Sequence, residues 1–212
     1  MIRKAGTEDI PAIREMADVV FRQTYREILS PAQMEYMMNM MYSVQSLEAQ
    51  MLREGNIFFI EDGGGYVSYR PDGWTEDGRE RFHLEKLYVL PEHQGTGLGR
   101  RLFETVLIEA KATRGAEATS RTAATAPIAN GATAKAAGGA EATSRTAATA
   151  PIANGATAKA TESATIRIEL NVNRNNPALG FYEHMGMRRD REGDFPIGGG
   201  FYMNDYIMAI DI

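Results

Sequence analysis

A glycine-rich turn is the part of the sequence best suited to chemistry. Its seven residues are Gln94, Gly95, Thr96, Gly97, Leu98, Gly99 and Arg100, and a segment with helical periodicity follows. Backbone N–H groups converge in such a turn, and the first turn of the helix adds partial positive charge from its dipole. The turn is therefore a candidate site for an anion such as phosphate.

Three phosphate-binding patterns can be compared with this turn. A P-loop ends in Gly-Lys-Ser/Thr, whereas here Gly99 is followed by Arg100 and Arg101. A dinucleotide-binding fingerprint requires a third glycine at the position of Arg100. The third pattern, Q-x-x-G-x-G, is satisfied by Gln94, Gly97 and Gly99. The residues favour this third pattern over the other two.

Two segments taken together resemble a known family. Glu85–Val89 (EKLYV) with the turn is similar to motif A of the GNAT superfamily, the acyl-CoA-dependent N-acetyltransferases. Asn173–Met187 (NRNNPALGFYEHMGM) is similar to its motif B, and the two motifs occur in the family's order. Within the superfamily, the pattern is most similar to the bacterial polyamine-type acetyltransferases. The resemblance implies transfer of an acetyl group from acetyl-CoA to a primary amine of a small molecule, a polyamine or a peptide N-terminus.

The resemblance also implies which residues hold acetyl-CoA, with no metal involved. The N–H groups of the turn and Arg100 would hold the pyrophosphate of CoA. The backbone of the strand segment Leu87, Tyr88 and Val89 would pair with the pantetheine arm like an added strand. Asn175 would donate a hydrogen bond to the same arm.

Two side chains are candidates for the proton transfers. The resemblance places Tyr182 beside the thioester sulfur as general acid, and a phenol is protonated at neutral pH. Glu85 is the candidate base for the amine, directly or through water, with His83 as the second candidate. Alternatively, Glu85 attracts the cationic amine electrostatically or forms a salt bridge with Lys86 or Arg81. In a regular strand, Glu85 would share a face with Leu87 and Val89.

The transfer is expected to be direct, within a ternary complex, since the chain contains no cysteine for a thioester intermediate. A backbone N–H of Leu87 or Val89 would stabilise the oxyanion. Acidic and aromatic side chains that could contact a cationic acceptor are Glu27, Glu35, Tyr25, Tyr36, Trp74 and the alternating segment Phe201–Tyr206. A non-catalytic domain that binds acyl-CoA as a sensor or scaffold is the alternative function.

These residues must be positioned by a mixed α/β fold. The hydrophobic pattern predicts the order β-α-α-β-β-β-α-β-α-β-β, and the GNAT resemblance adds splayed central parallel strands. Thr7, Ser30 and Ser46 are the predicted helix caps, Ser30 through a capping box with Gln33. The helix after the turn is predicted to extend from Arg101 to Lys111.

An alanine- and threonine-rich insert is predicted at residues 112–164. It contains two identical 22-residue repeats, at residues 115–136 and 139–160, with one large apolar side chain each. Such a segment buries too little apolar surface to offset its ordering entropy, which favours a flexible insert. An ordered surface element or an oligomer contact, such as one in a homodimer, is the alternative. Residues 1–111 and 165–212 would then form one GNAT domain, with the insert on the rim opposite the chemistry.

Composition limits the remaining functions. The net charge of −5 argues against non-specific nucleic-acid binding. The sequence has no run of about 18 apolar residues, so no membrane span is expected. Its beginning does not resemble a signal peptide, and a cytoplasmic location is expected.

Overall fold

A seven-stranded mixed sheet organises the protein, for which a computed structural model describes residues 1–123 and 166–212. The strands are β1 (Arg3–Lys4), β2 (Ile57–Glu61), β3 (Gly65–Trp74), β4 (Glu80–Val89), β5 (Ile166–Asn173), β6 (Arg188–Gly198) and β7 (Phe201–Asp211). The helices are α1 (Ile10–Tyr25), α2 (Pro31–Tyr42), α3 (Val44–Leu52), α4 (Leu98–Ala123) and α5 (Leu179–His184). The strand order is β1-β2-β3-β4-β5-β7-β6. The predicted mixed α/β class is confirmed. Three helices separate β1 from β2, one for each of the three predicted caps, whereas the predicted element order has two there.

Two apolar cores lie on opposite faces of this sheet. Phe82 and Leu84 of β4 pack with Leu102 of α4 on one face. Phe58 of β2 packs with Phe21 of α1 on the other face, which α1, α2 and α3 cover. Burying side chains of this size contributes about 1.5–3 kcal/mol each. Both faces of the central strands are thus anchored, which fixes the strand ends where the candidate residues lie.

The central strands β4 and β5 are parallel and pair over only part of their length. Their register extends from Glu80 opposite Ile166 to His83 opposite Glu169. Beyond these pairs, the last six residues of β4 and the last four of β5 have no partner in each other. A gap therefore opens between β4 and β5 toward their carboxyl ends, as the predicted splay requires.

A β-bulge at Glu85 lies where this gap begins. On β3, Ser68 is opposite Lys86 and Tyr69 is opposite Leu84, so Glu85 is the extra residue of β4. A bulge increases local twist and shifts the alternation of side chains. Leu84 and Leu87 consequently both pack on the α4 face. The expectation that Glu85 shares a face with Leu87 and Val89 in a regular strand is therefore wrong.

The helix caps differ in part from the prediction. Ser30 accepts a hydrogen bond from the N–H of Gln33 at 3.2 Å and caps α2, as predicted. The cap of α3 is Ser43, which accepts from the N–H of Ser46, so the predicted Ser46 cap is wrong. Thr7 begins a short 3₁₀ turn without a side-chain cap, and α1 starts after it.

Helix α4 extends to Ala123 rather than ending at Lys111. Alanine has the highest helix propensity, which allows the helix to continue into the segment predicted as insert. The remainder of the two repeats lies outside the described residues, so the domain boundaries and the role of the insert stay predictions. Within the described ranges, none of the helices has the length and apolar character needed to span a membrane.

Candidate active site

The glycine-rich turn joins the carboxyl end of β4 to the start of α4. Gly95 and Gly97 have φ angles of 76° and 81°, in the left-handed region that favours glycine. The turn is held internally, since the Thr96 hydroxyl donates to the His93 carbonyl at 2.6 Å. The Gln94 amide donates to the Val89 carbonyl at 3.2 Å and ties the turn to β4. The first N–H groups of α4 have no intrahelical acceptors, so they are available to an anion.

Helices α4 and α5 bring the two sequence motifs together. Nη2 of Arg100 lies 2.9 Å from Nε2 of His184, the last residue of α5. A Cβ on Gly99 would lie 3.4 Å from the ring of Phe181, so this glycine permits the close approach of the two helices. The turn of motif A and the helix of motif B therefore form one surface.

The asparagines after β5 have different roles. Asn176 is buried, accepts from the N–H of Ala178 at 2.8 Å, and donates to the hydroxyl of Tyr25 at 3.2 Å. The backbone N–H of Asn175 donates to the side chain of Asn173 at 3.0 Å, while the Asn175 side chain is exposed. Asn175 is therefore free to contact a ligand, whereas Asn176 fixes the loop to α1.

Tyr182 lies on α5 with its ring 5.3 Å from that of Phe181, centroid to centroid. Its residue is 7% exposed, and burial raises the pKa of its phenol well above the usual 10, with a further contribution from Tyr25. The side chain is consequently protonated at neutral pH.

Two hydrogen-bonded tyrosines lie on the other face of the sheet, where the Tyr42 hydroxyl donates to that of Tyr88 at 2.9 Å.

Glu85 is held by an arginine that is distant in sequence. Its Oε1 accepts from Nε of Arg70 at 2.7 Å, and Nη1 of Arg70 contacts Asp72 at 2.9 Å. Arg70 follows Tyr69, which packs on the α4 face, so the pair lies on the opposite face. The alternative salt bridges of Glu85 are not those seen, because Lys86 donates to Gln50 and Arg81 binds Asp72.

His83 lies one pleat before Glu85 on the same strand. Burial lowers the pKa of its imidazole. This effect is larger than that of the Glu85 carboxylate, which raises the same pKa. The imidazole is therefore neutral at neutral pH and able to accept a proton.

With this geometry in view, comparison with known proteins identifies the family. The model of the acetyltransferase (GNAT) family matches residues 21–134, more than half of the 212-residue chain. The chain belongs to the GNAT acetyltransferase family. The cosubstrate of this family is acetyl-CoA.

Solved structures share the fold of this acetyltransferase. The PaiA N-acetyltransferase of Thermoplasma acidophilum in complex with coenzyme A has a TM-score of 0.57 at 17% identity, covering 100% of this chain and 98% of that chain. The ribosomal-protein-S18-alanine N-acetyltransferase of Escherichia coli has a TM-score of 0.53 at 15% identity, covering 100% of this chain and 93% of that chain. Arabidopsis thaliana Naa50, in complex with the bisubstrate analogue CoA-Ac-MVNAL, has a TM-score of 0.52 at 13% identity, covering 100% of this chain and 98% of that chain. At identities this low, the likeness concerns the fold alone.

The residues predicted to contact an acceptor are not all near the turn of this GNAT chain. Trp74 is half exposed and pairs with Glu80, at the end of β4 opposite the turn. Glu35 binds Arg22, and the Tyr36 hydroxyl donates to the Ile197 carbonyl at 2.8 Å. Of the described residues, no group of three or more His, Asp or Glu could hold a metal ion.

The strand segment at residues 201–206 divides between the two faces of the acetyltransferase sheet. Tyr202 and Asn204, with Gln33 of α2, line a cleft of about 500 Å³. Met203 packs with the core on the α1 face. Asp205 lies between these residues in the strand, opposite Asn173 of β5.

Asp205 belongs to the predicted acceptor segment Phe201–Tyr206 and, unlike the other five residues of that segment, it is buried. It is 1% exposed, and burial raises the pKa of its carboxyl to about 6. The signal in the sequence is the spacing of two residues, which puts Asp205 on the same strand face as Met203 and Ile207. Because these two neighbours are apolar, that face is expected to be buried, and the acid with it.

Proposed function

We propose that the protein transfers an acetyl group from acetyl-CoA to a primary amine of a small molecule, a polyamine or a peptide N-terminus. One observation carries the proposal. The glycine-rich turn, the gap between β4 and β5, and Tyr182 meet at the carboxyl ends of the two central strands. Ligands of open α/β sheets bind at such ends.

The residues present are suited to acetyl-CoA. The N–H groups from Gly97 to Arg100 would bind the pyrophosphate, with the two left-handed glycines leaving space for it. The edge of β4 at Leu87, Tyr88 and Val89 faces a gap that no strand of the described residues fills, so the amides of the pantetheine arm can pair there. The exposed side chain of Asn175 would bind the same arm. The bound cosubstrate supplies an acetyl group whose sulfur departs as a thiolate.

Tyr182 and Glu85 are proposed for the reacting end. Tyr182 would donate its proton to the departing sulfur, and burial keeps that proton in place beforehand. Glu85 would lie beside the acceptor amine, either as proton acceptor through water or as an electrostatic contact. A backbone N–H of Leu87 or Val89 would stabilise the developing negative charge on the carbonyl oxygen.

The acceptor class rests on two kinds of support. The sequence pattern is similar to polyamine-type acetyltransferases, which act on small amines. The fold is shared with a ribosomal-protein alanine acetyltransferase and with an enzyme bound to a peptide-based bisubstrate analogue. Both an alkylamine and a peptide N-terminus are therefore included in the test.

The test is release of CoA thiol in the presence of acetyl-CoA and a panel of amines. A thiol-reactive dye suits this protein because the chain contains no cysteine to react with it. We expect turnover with at least one of spermidine, a diamine or an N-terminal alanine peptide. Binding of acetyl-CoA without CoA release for any amine would favour the sensor or scaffold function instead.

Tyr182→Phe tests the general acid. We expect kcat to fall at least 100-fold, within the usual contribution of general acid catalysis, while acetyl-CoA affinity stays within twofold. Tyr69→Phe is the matched control, since Tyr69 is buried in the same apolar core but lies on β3, which β4 separates from the gap. Unchanged turnover in Tyr182→Phe would remove this residue from the acid role.

A further inference from the structure

Asp205 is a buried carboxyl group with an unused oxygen. Its Oδ2 accepts one long hydrogen bond, 3.4 Å, from the amide of Asn171. Its Oδ1 is buried and has no hydrogen-bond partner among the described residues. Burying a carboxylate is unfavourable unless it is paired, so an unpartnered oxygen in a strand indicates a role for a ligand.

The charged surroundings leave this carboxyl able to exchange a proton. Arg174, at the end of β5, favours the ionised form, but it is itself bound to Asp194 and Glu192 of β6. Tyr25 of α1 is the titratable group on the helix side, and its own pKa is raised to about 12. Burial outweighs Arg174, so the carboxyl titrates near pH 6, close to the working range of a general base.

Asp205 lies on the same face of the sheet as Glu85. Ile168 and Leu170 of β5 pack on the α4 face, so Asn171 and Asn173 project to the other face. Asp205 of β7 lies directly opposite Asn173 and shares that face. Glu85 lies on that same face through its pair with Arg70. Asn171 is exposed and lies just beyond the last β4–β5 pair, so it stands between Asp205 and the gap.

We propose that Asp205 accepts the proton that the acceptor ammonium must lose, with Asn171 positioning its carboxyl group toward the gap. The proposal rests on the transferase function given above. The ammonium gives one proton to Asp205, which later releases it to water. The neutral nitrogen then forms a bond to the acetyl carbon as the C–S bond breaks. Tyr182 gives its proton to the departing sulfur. The nitrogen then loses its second proton to the Tyr182 oxygen, which restores the phenol.

This assignment separates the roles of the two carboxyl groups. Oε1 of Glu85 is already bound by Arg70, which stabilises the anion and suits an electrostatic contact with the amine. In the part of the chain that the structure describes, Asp205 has no such cation in direct hydrogen-bond contact. Glu85→Gln should therefore weaken acceptor binding and raise KM, whereas Asp205→Asn should lower kcat.

The experiment measures kcat/KM for the acceptor between pH 5 and 7, where both alkylamines and peptide N-termini stay mainly protonated. We expect the wild-type value to fall below about pH 6, by about tenfold per pH unit, as Asp205 becomes protonated. Asp205→Asn should lower kcat at least 100-fold at pH 7 and remove the break near pH 6, because its rate would follow the fraction of neutral amine and rise steadily with pH across the whole range. Its acetyl-CoA affinity should stay within twofold, and its melting temperature at pH 8 should equal or exceed that of wild type because a buried charge is gone.

Glu192→Gln is the control, since Glu192 also approaches Arg174 but is exposed on β6. It should keep both kcat and the break in the pH profile near pH 6. If wild type turns over and Asp205→Asn keeps its kcat, or keeps the break near pH 6, the role of Asp205 is overturned while the transferase function stands. Loss of acetyl-CoA affinity or of thermal stability in Asp205→Asn would indicate a structural role instead. Absence of wild-type turnover with every amine would overturn the transferase function and this proposal with it.

Discussion

Lys86 is a buried cation that should destabilise the folded protein at neutral pH. It is 7% exposed, and its Nζ donates to Oε1 of Gln50 at 2.7 Å. The ammonium lies 5.7 and 5.8 Å from the ring centres of Tyr42 and Phe58. Burial lowers its pKa from 10.5 to about 8. Since a tenfold change in proton affinity is about 1.4 kcal/mol, this drop corresponds to about 3 kcal/mol of lost stability at pH 7.

Replacing Lys86 by methionine removes that cost and keeps a long, flexible side chain. The oxygen of Gln50 then loses its donor, which costs about 1–2 kcal/mol. We expect Lys86→Met to be more stable than wild type by about 1–2 kcal/mol at pH 7. In the unfolded chain, lysine holds its proton until about pH 10.5, whereas in the folded protein it loses it near pH 8. Wild type is therefore stabilised relative to the variant as the pH rises from 8 to 10.5.

Urea unfolding of both proteins at pH 7 and pH 10 measures this effect. The difference in unfolding free energy should shift by about 2–3 kcal/mol between the two pH values, toward wild type at pH 10. Titrations of other groups occur in both proteins and cancel in the difference. Lys111→Met, at an exposed position of α4, should change stability by less than about 0.5 kcal/mol at either pH. A difference for Lys86→Met that is independent of pH would refute the reasoning.

Two further substitutions test the turn and a helix cap. Gly97→Ala forces an L side chain into a φ of 81° and should lower acetyl-CoA affinity at least tenfold in calorimetry. Gly78→Ala imposes the same strain at φ 82° in a remote hairpin, so it should reduce thermal stability without changing that affinity. Ser43→Ala removes the α3 cap and should cost about 1 kcal/mol in urea unfolding, and a silent variant would contradict the cap assignment.

Local patterns predicted the elements that carry the site. The glycine-rich turn, its position after β4 and the cap at Ser30 all depend on residues within a few positions of one another. Ser43 and Ser46 show the limit of this approach, because both serines precede helical residues and both were suitable caps. The short connection decides between them, since α2 ends at Tyr42 and only Ser43 separates it from α3.

Contacts between distant segments could not be predicted in the same way. The Arg70 partner of Glu85 follows from the pairing of β3 with β4, and the bulge depends on how those strands fit. Asn176 and Tyr25 are 151 positions apart and meet only in the folded chain. Asp205 belongs to the predicted acceptor segment Phe201–Tyr206, but its burial and its unpartnered oxygen depend on the folded chain and could not be predicted from the pattern.

The gap between β4 and β5 also bears on aggregation. An unpaired strand edge invites pairing with another chain, and proteins protect their outer edges by shortness or charge. Here β1 has two residues, and β6 carries a run of charged side chains from Arg188 to Glu192. The unpaired edges in the gap are protected differently, because they lie inside the sheet and β4 remains joined to β5 from Glu80 to His83. A narrow ligand arm can enter there, whereas a strand of a second protein, which needs about 4.8 Å on each side, would have to separate that pairing first. The fold thus exposes backbone hydrogen-bonding groups to a small molecule without offering them to another copy of itself.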